Sequence, residues 1–102
     1  MNYNINIKKS LKYVYQKQKE LTILGGIGSL LGWDQMTYMP SDGAVDRAEQ
    51  IAFLSKMSHR KISSEALWRH LQYLSRKSNF EILNDNDQIA VSYTHLTLPT
   101  KA

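Results

Sequence analysis

Three histidines, nine side-chain carboxylates and a scatter of serines are the groups in this 102-residue sequence that could do chemistry. Their spacing assembles no catalytic set. His59, His70 and His95 include no pair four residues apart, so no two can share a helical face around a metal as in HExxH, and none has zinc-finger spacing. Ser29 follows Gly28, but Leu31 stands where a nucleophile elbow needs glycine. Gly25, Gly26, Gly28 and Gly32 resemble a phosphate loop only superficially, because no Gly-Lys-Ser/Thr follows and no β-branched strand precedes. Asp85 and Asp87 read as the start of a helix rather than an acid/base pair. With no cysteine there is no disulfide framework, no thiolate metal site and no cysteine nucleophile. No residue is assigned to catalysis, to a cofactor or to a metal.

One polar pair does stand out. Asp34 lies on the apolar side of a segment with Leu30, Leu31 and Tyr38, and Arg47 lies on the apolar side of the next segment with Ile51 and Leu54. Charged groups so placed are rarely buried unless paired, and arginine can hold a carboxylate through two parallel hydrogen bonds. Both lie about 10 Å along their helices from the break at Pro40, at 1.5 Å per residue. Antiparallel packing therefore brings them to one height, and a buried Asp34–Arg47 salt bridge is expected to set the angle between the two helices.

The elements that must carry this pair read as all-α, with four or five helices and no sheet. Residues 4–24 form an amphipathic helix: Tyr3, Ile7, Leu11, Val14, Tyr15 and Leu21 fall within an arc of about 120°, with Gln18 in its midst. Residues 23–38 read as a second helix whose Gly25, Gly28, Ser29 and Gly32 make a small-residue stripe for close approach of another backbone. Met39 to Gly43 is a break, with Ser41 or Asp42 as cap of a third helix over about 43–61. That helix is apolar on two sides. Ala44, Ala48, Ile51 and Leu54 make one, Phe53 and Met57 the other, which calls for neighbours on both. Ser63 or Ser64 caps a fourth helix to about Lys77, with Leu67, Leu71 and Leu74 in line. A polar connector at Ser78 and Asn79 leads to a fifth helix, capped by Asn84 or Asp85 and fading after Ala90.

The block Leu30-Leu31-Gly32-Trp33-Asp34-Gln35-Met36-Thr37-Tyr38-Met39-Pro40, then Gly43-Ala44 and Arg47-Ala48-Glu49-Gln50-Ile51 with Leu54-Ser55, resembles the N-terminal region of the thermostable Taq/Pfu-type metallocarboxypeptidases. The resemblance covers roughly residues 7–90. It implies the N-terminal helical cap of a larger, helical, cytoplasmic enzyme, usually a homodimer, that removes C-terminal residues from peptides. It also implies a zinc ion in the complete enzyme, held by an HExxH motif and a downstream glutamate that this sequence does not contain. Trp33, Asp34, Met39, Pro40, Arg47 and Gln50 carry over as architectural positions, and no catalytic, cofactor or metal residue carries over. Residues 1–90 are thus expected to be the helical region of that family, inactive alone and lacking its C-terminal catalytic part. Residues 91–102 resemble translated sequencing-adapter read-through and are expected to be a non-native tail without core contacts.

Charge separates the remaining function classes. The formal net charge is +4. All of that excess sits in residues 1–22, where Lys8, Lys9, Lys12, Lys17 and Lys19 face only Glu20. One lysine-rich helix is a poor nucleic-acid footprint, which needs a basic surface with aromatic or polar readers. It leaves as an alternative a free-standing helical module that binds an acidic partner. No run of about 18 apolar residues suggests a membrane span, and MNYNINIKKS lacks the basic-then-apolar order of a signal peptide, so a cytoplasmic location is expected.

Overall fold

Helix propensity, caps and one proline set the architecture. The computed structural model describes residues 3–37 and 39–98. Among them run helices α1 (Ile5–Thr37), α2 (Ala44–Ile62), α3 (Glu65–Ser75), α4 (Lys77–Phe80) and α5 (Asp85–Thr97), with a 3-10 turn at Ser41–Gly43 and no strand. The all-α reading holds.

The first two expected helices are one. α1 passes through all four of its glycines without a break. Each glycine gives up about 1 kcal/mol of helix propensity relative to alanine. The segment stays helical because α2 folds back along it and is clamped at both ends. Lys61 donates to Glu20 near one end, and Arg47 donates to Asp34 near the other. Both pairs fit one antiparallel register, in which residue numbers sum to the same value. The two clamps are about 21 Å apart along the helix. The small-residue stripe does not serve close approach here: a Cβ added at Gly25, Gly26, Gly28 or Gly32 would meet nothing within 4 Å.

Local chemistry places the other boundaries. The Asn4 side chain accepts from Ile7 N at 2.9 Å and opens α1. α1 closes where Met39 N donates to Asp34 O and Pro40 takes an extended conformation, as expected of a chain entering proline. Neither Ser41 nor Asp42 caps α2; its first residue follows Gly43, which makes no side-chain cap bond, so the 3-10 turn does that work with backbone groups. Ser64 is the cap of α3, accepting from Leu67 N. α3 ends at Ser75, short of Lys77, and the expected polar connector is itself the single-turn helix α4. The Tyr73 carbonyl at this early end accepts from both Arg76 N and the Asn79 amide. Asn84 caps α5 through Asp87 N at 2.8 Å.

The core lies at one end. Ile7, Leu11 and Val14 from α1 pack with Leu67, Leu71, Leu74, Leu83 and Val91. α5 does not fade after Ala90. It continues to Thr97, and Val91 and Thr94 are buried, which corrects the expectation that residues beyond 90 make no core contacts. The distal half of α1 and the whole of α2 contribute no buried residue. The molecule is consequently long, 56 × 29 × 19 Å, with a radius of gyration of 17.3 Å. A compact chain of this length has about 13 Å. Tyr38 and residues 99–102 lie outside the described residues, and with them the place given to Tyr38 on the apolar face.

Candidate functional site

The expected salt bridge is present, and Arg47 does more than pair. Its guanidinium donates to Asp34 Oδ2 at 2.7 Å and to the Leu31 carbonyl at 3.0 Å, while its Nε donates to Gln50 Oε1 at 3.0 Å. One planar cation thus ties a carboxylate and a backbone carbonyl of α1 to its own helix, a use of the guanidinium fork that lysine could not reproduce. The pair is not buried as expected. The Arg47 side chain is 18% exposed and that of Asp34 38%. The core ends too far away to cover it.

The other positions expected to be architectural sit around this corner. The Met39 side chain lies against Gly43, Pro40 turns the chain, and Trp33 is half exposed on α1. Between the two clamps α1 and α2 bound an open groove of about 710 Å³. Ile27, Leu31, Phe53 and Leu54 form its apolar walls, and Asp46 and Glu49 line it with acid. A second groove, of about 640 Å³, lies where α1 meets α5, lined by Leu21, Ile62, Ile89 and Tyr93 among others.

Sequence reasoning missed the joint between α1 and α5. Asp87 is more than a helix start: Tyr3 and Tyr15 both donate their hydroxyls to its carboxylate, and Tyr3 also accepts from Asn84 N. Gln18, the polar intruder in the apolar arc, donates its amide to the Ala90 carbonyl and to Thr94. A polar side chain inside an apolar stripe was the available signal, since such a group needs a partner. Burial and the neighbouring Asp87 carboxylate push the Tyr15 phenol up to about 12, and burial likewise raises Tyr3.

The histidines are dispersed. His70 stacks on Tyr13 with centroids 4.4 Å apart, and its Nδ1 is 2.9 Å from Ser10 Oγ. Burial lowers its pKa. His95 lies edge-on to Trp68 and His59 is exposed. Among the described residues no three His, Cys, Asp or Glu side chains gather into a metal-holding group, and no helix is long and apolar enough to cross a membrane. On the lysine-rich side, Lys8, Lys9, Lys12 and Lys19 are exposed, while Lys17 pairs with Glu20, whose carboxyl is held below the usual range chiefly by its bond to Lys61.

Comparison with known proteins gives this geometry a context. Residues 13–98 match the family described as Carboxypeptidase Taq (M32) metallopeptidase. Over 55 residues the chain is 33% identical to Thermostable carboxypeptidase 1 of Thermus thermophilus. That stretch is 54% of this chain but 11% of the relative. No solved structure matches.

Proposed function

Because the chain belongs to the Carboxypeptidase Taq (M32) metallopeptidase family, we propose that it is the N-terminal helical part of a longer, zinc-dependent metallocarboxypeptidase. The observation that carries this reading is the family match running from α1 to α5, across the Asp34–Arg47 corner, in a chain whose matched stretch is 11% of a carboxypeptidase relative. The complete enzyme releases C-terminal residues from peptides, works as a cytoplasmic homodimer and holds its zinc outside these 102 residues. The described residues do not fit a metal, with His70 committed to Ser10 and Tyr13 and no second ligand gathered beside it. No catalytic step therefore runs through this chain. Its part is architectural: α1 and α2, tied together by Arg47, form a hairpin that caps the cleft.

The reading frame downstream in the source DNA tests the proposal. An HExxH with a later glutamate is expected there; its absence from the full frame would sink the reading. The purified chain, supplied with zinc, is expected to release no C-terminal residue from an N-blocked dipeptide. Metal-dependent release would show that the chain carries catalytic groups after all.

A further inference from the structure

The groove between α1 and α2 has a lining sorted by chemistry along its length. Towards the corner α2 presents Asp46, Glu49 and Gln50, and beyond them Phe53 and Leu54. Ile27 and Leu31 of α1 form the opposite wall. Phe53 is 62% exposed and Ile27 44%, so the apolar part lies open to solvent. Asp46 and Glu49 are exposed like charges at i, i+3, an unfavourable spacing within a helix. Among the described residues neither is held in an ion pair. The cations of α2 do not serve them. Arg47 is committed to Asp34 and Lys61 to Glu20, while Lys56 lies about 10 Å further along the helix than Glu49. Gln50 is already oriented: its Oε1 accepts from Arg47 Nε, which leaves its amide N–H groups as donors.

We propose that this groove is a docking site for a short peptide segment that carries arginine or lysine near a large apolar residue. A cation placed between Asp46 and Glu49 pairs with both and removes their mutual repulsion. Phe53 stands about 10 Å along α2 from Asp46. An extended peptide rises about 3.3 Å per residue, so an apolar side chain about three residues from the cation reaches the wall of Ile27, Leu31, Phe53 and Leu54. Gln50, between the two regions, is placed to donate to a backbone carbonyl, a group that every extended peptide presents. The groove volume of about 710 Å³ falls within the range of about 300–1,000 Å³ typical of ligand sites, and its few polar groups beside an apolar wall match their usual make-up. An acidic or uncharged segment would leave the two carboxylates unpaired beneath it, and a bare cation would leave the apolar wall wet. This inference stands on the groove and its charge and not on the peptidase reading.

Fluorescence anisotropy of a labelled Arg-Arg-Ala-Leu-Phe amide titrated with the full chain tests it, with far-UV circular dichroism to show that each variant stays helical. Saturable binding is expected, weakening as salt screens the carboxylates. Asp46→Asn and Glu49→Gln are each expected to weaken it about two- to fivefold, as loss of a partly exposed pair does. Phe53→Ser should weaken it roughly tenfold, as loss of an aromatic anchor does. Two altered peptides probe the ligand side, one with glutamate for both arginines and one with serine for leucine and phenylalanine, and both are expected to bind more weakly. Asp46→Lys combined with Glu49→Lys should reverse the preference towards the glutamate peptide. Absence of saturable binding up to about 1 mM peptide overturns the proposal and leaves the groove to another occupant. Equal binding of the serine peptide overturns it too, because the carboxylates would then be a general cation patch. Binding that ignores both Phe53→Ser and the double charge reversal places the peptide elsewhere on the chain and overturns it as well.

Discussion

At the scale of single residues, Arg47 shows how far partial exposure changes an energy. Removing one partner of a fully buried ion pair costs about 3–5 kcal/mol, and an exposed pair is worth about 0–1 kcal/mol. The Asp34–Arg47 bridge, with side chains 38% and 18% exposed, falls between. Asp34→Ala is expected to destabilise by about 1–2 kcal/mol. Arg47→Ala should cost more, because the Leu31 carbonyl and Gln50 lose their donor too. A denaturation double-mutant cycle should show clear coupling between the two, and additive effects would refute the bridge. Four groups shape the pH profile: Tyr3 and Tyr15, both raised, at the alkaline end, and His70 and Glu20, both lowered, at the acid end. Tyr15 has a folded pKa of about 12, above its unfolded value near 10. Its contribution is complete below pH 10 and is lost as pH rises towards 12, because only the protonated phenol can donate to Asp87. His70 is lowered by burial, so its contribution is present above about pH 6.5 and is lost as pH falls through the folded value. In the melting temperatures, Tyr15→Phe should flatten part of the alkaline dependence and His70→Gln part of the acid dependence, Tyr3 and Glu20 keeping the rest, and unchanged profiles would refute the assignments.

At the scale of elements, the glycines of α1 are the sharpest test. Nothing approaches Gly25, Gly26, Gly28 or Gly32, so each alanine there gains propensity without a clash. Gly26→Ala is expected to stabilise by about 0.8–1 kcal/mol, or about 4–8 °C in a domain of this size, and a destabilised variant would reveal a close neighbour at that position. The four glycines also mark where sequence reasoning lost the fold. Periodicity assigned helix on both sides of residue 24, but propensity suggested a joint there. The clamps that override it, Glu20–Lys61 and Asp34–Arg47, are tertiary. The Asp34–Arg47 bridge was legible because a charge on an apolar face must find a partner. Its exposure was not legible, since burial depends on how far the core extends. The Ser64 and Asn84 caps were legible from residue type. The end of α5 was not, because the buried Val91 opens a stretch without helical periodicity and stays helical by joining Leu67, Leu71 and Leu74 in the core. Truncation after Ala90 is therefore expected to lower the melting temperature by uncovering that cluster, and an unchanged melt would show that residues 91–98 add nothing to it.

At the scale of the whole molecule, burial divides the chain into two ends of unequal stability. The core end gathers every buried apolar side chain of the described residues, from Ile7 to Val91. The other end, the hairpin of distal α1 and α2, has an open groove, exposed Leu30 and Phe53, and two ion pairs. Hydrophobic burial yields about 25 cal/mol per Å² and is insensitive to screening, whereas partly exposed ion pairs are worth little each and weaken with salt. The two ends should therefore open separately. Amide hydrogen exchange of the full chain is expected to show strongest protection around Leu11, Val14 and Leu71, where opening requires losing the core. Amides from about Gly26 to Phe53 should exchange faster, and faster still at high salt, because freeing this end breaks the Asp34–Arg47 and Glu20–Lys61 clamps while leaving the core intact. Equal protection at both ends in dilute, high-salt solution would contradict this division, because it would require the hairpin to be held by burial that α2, with no buried residue, does not have.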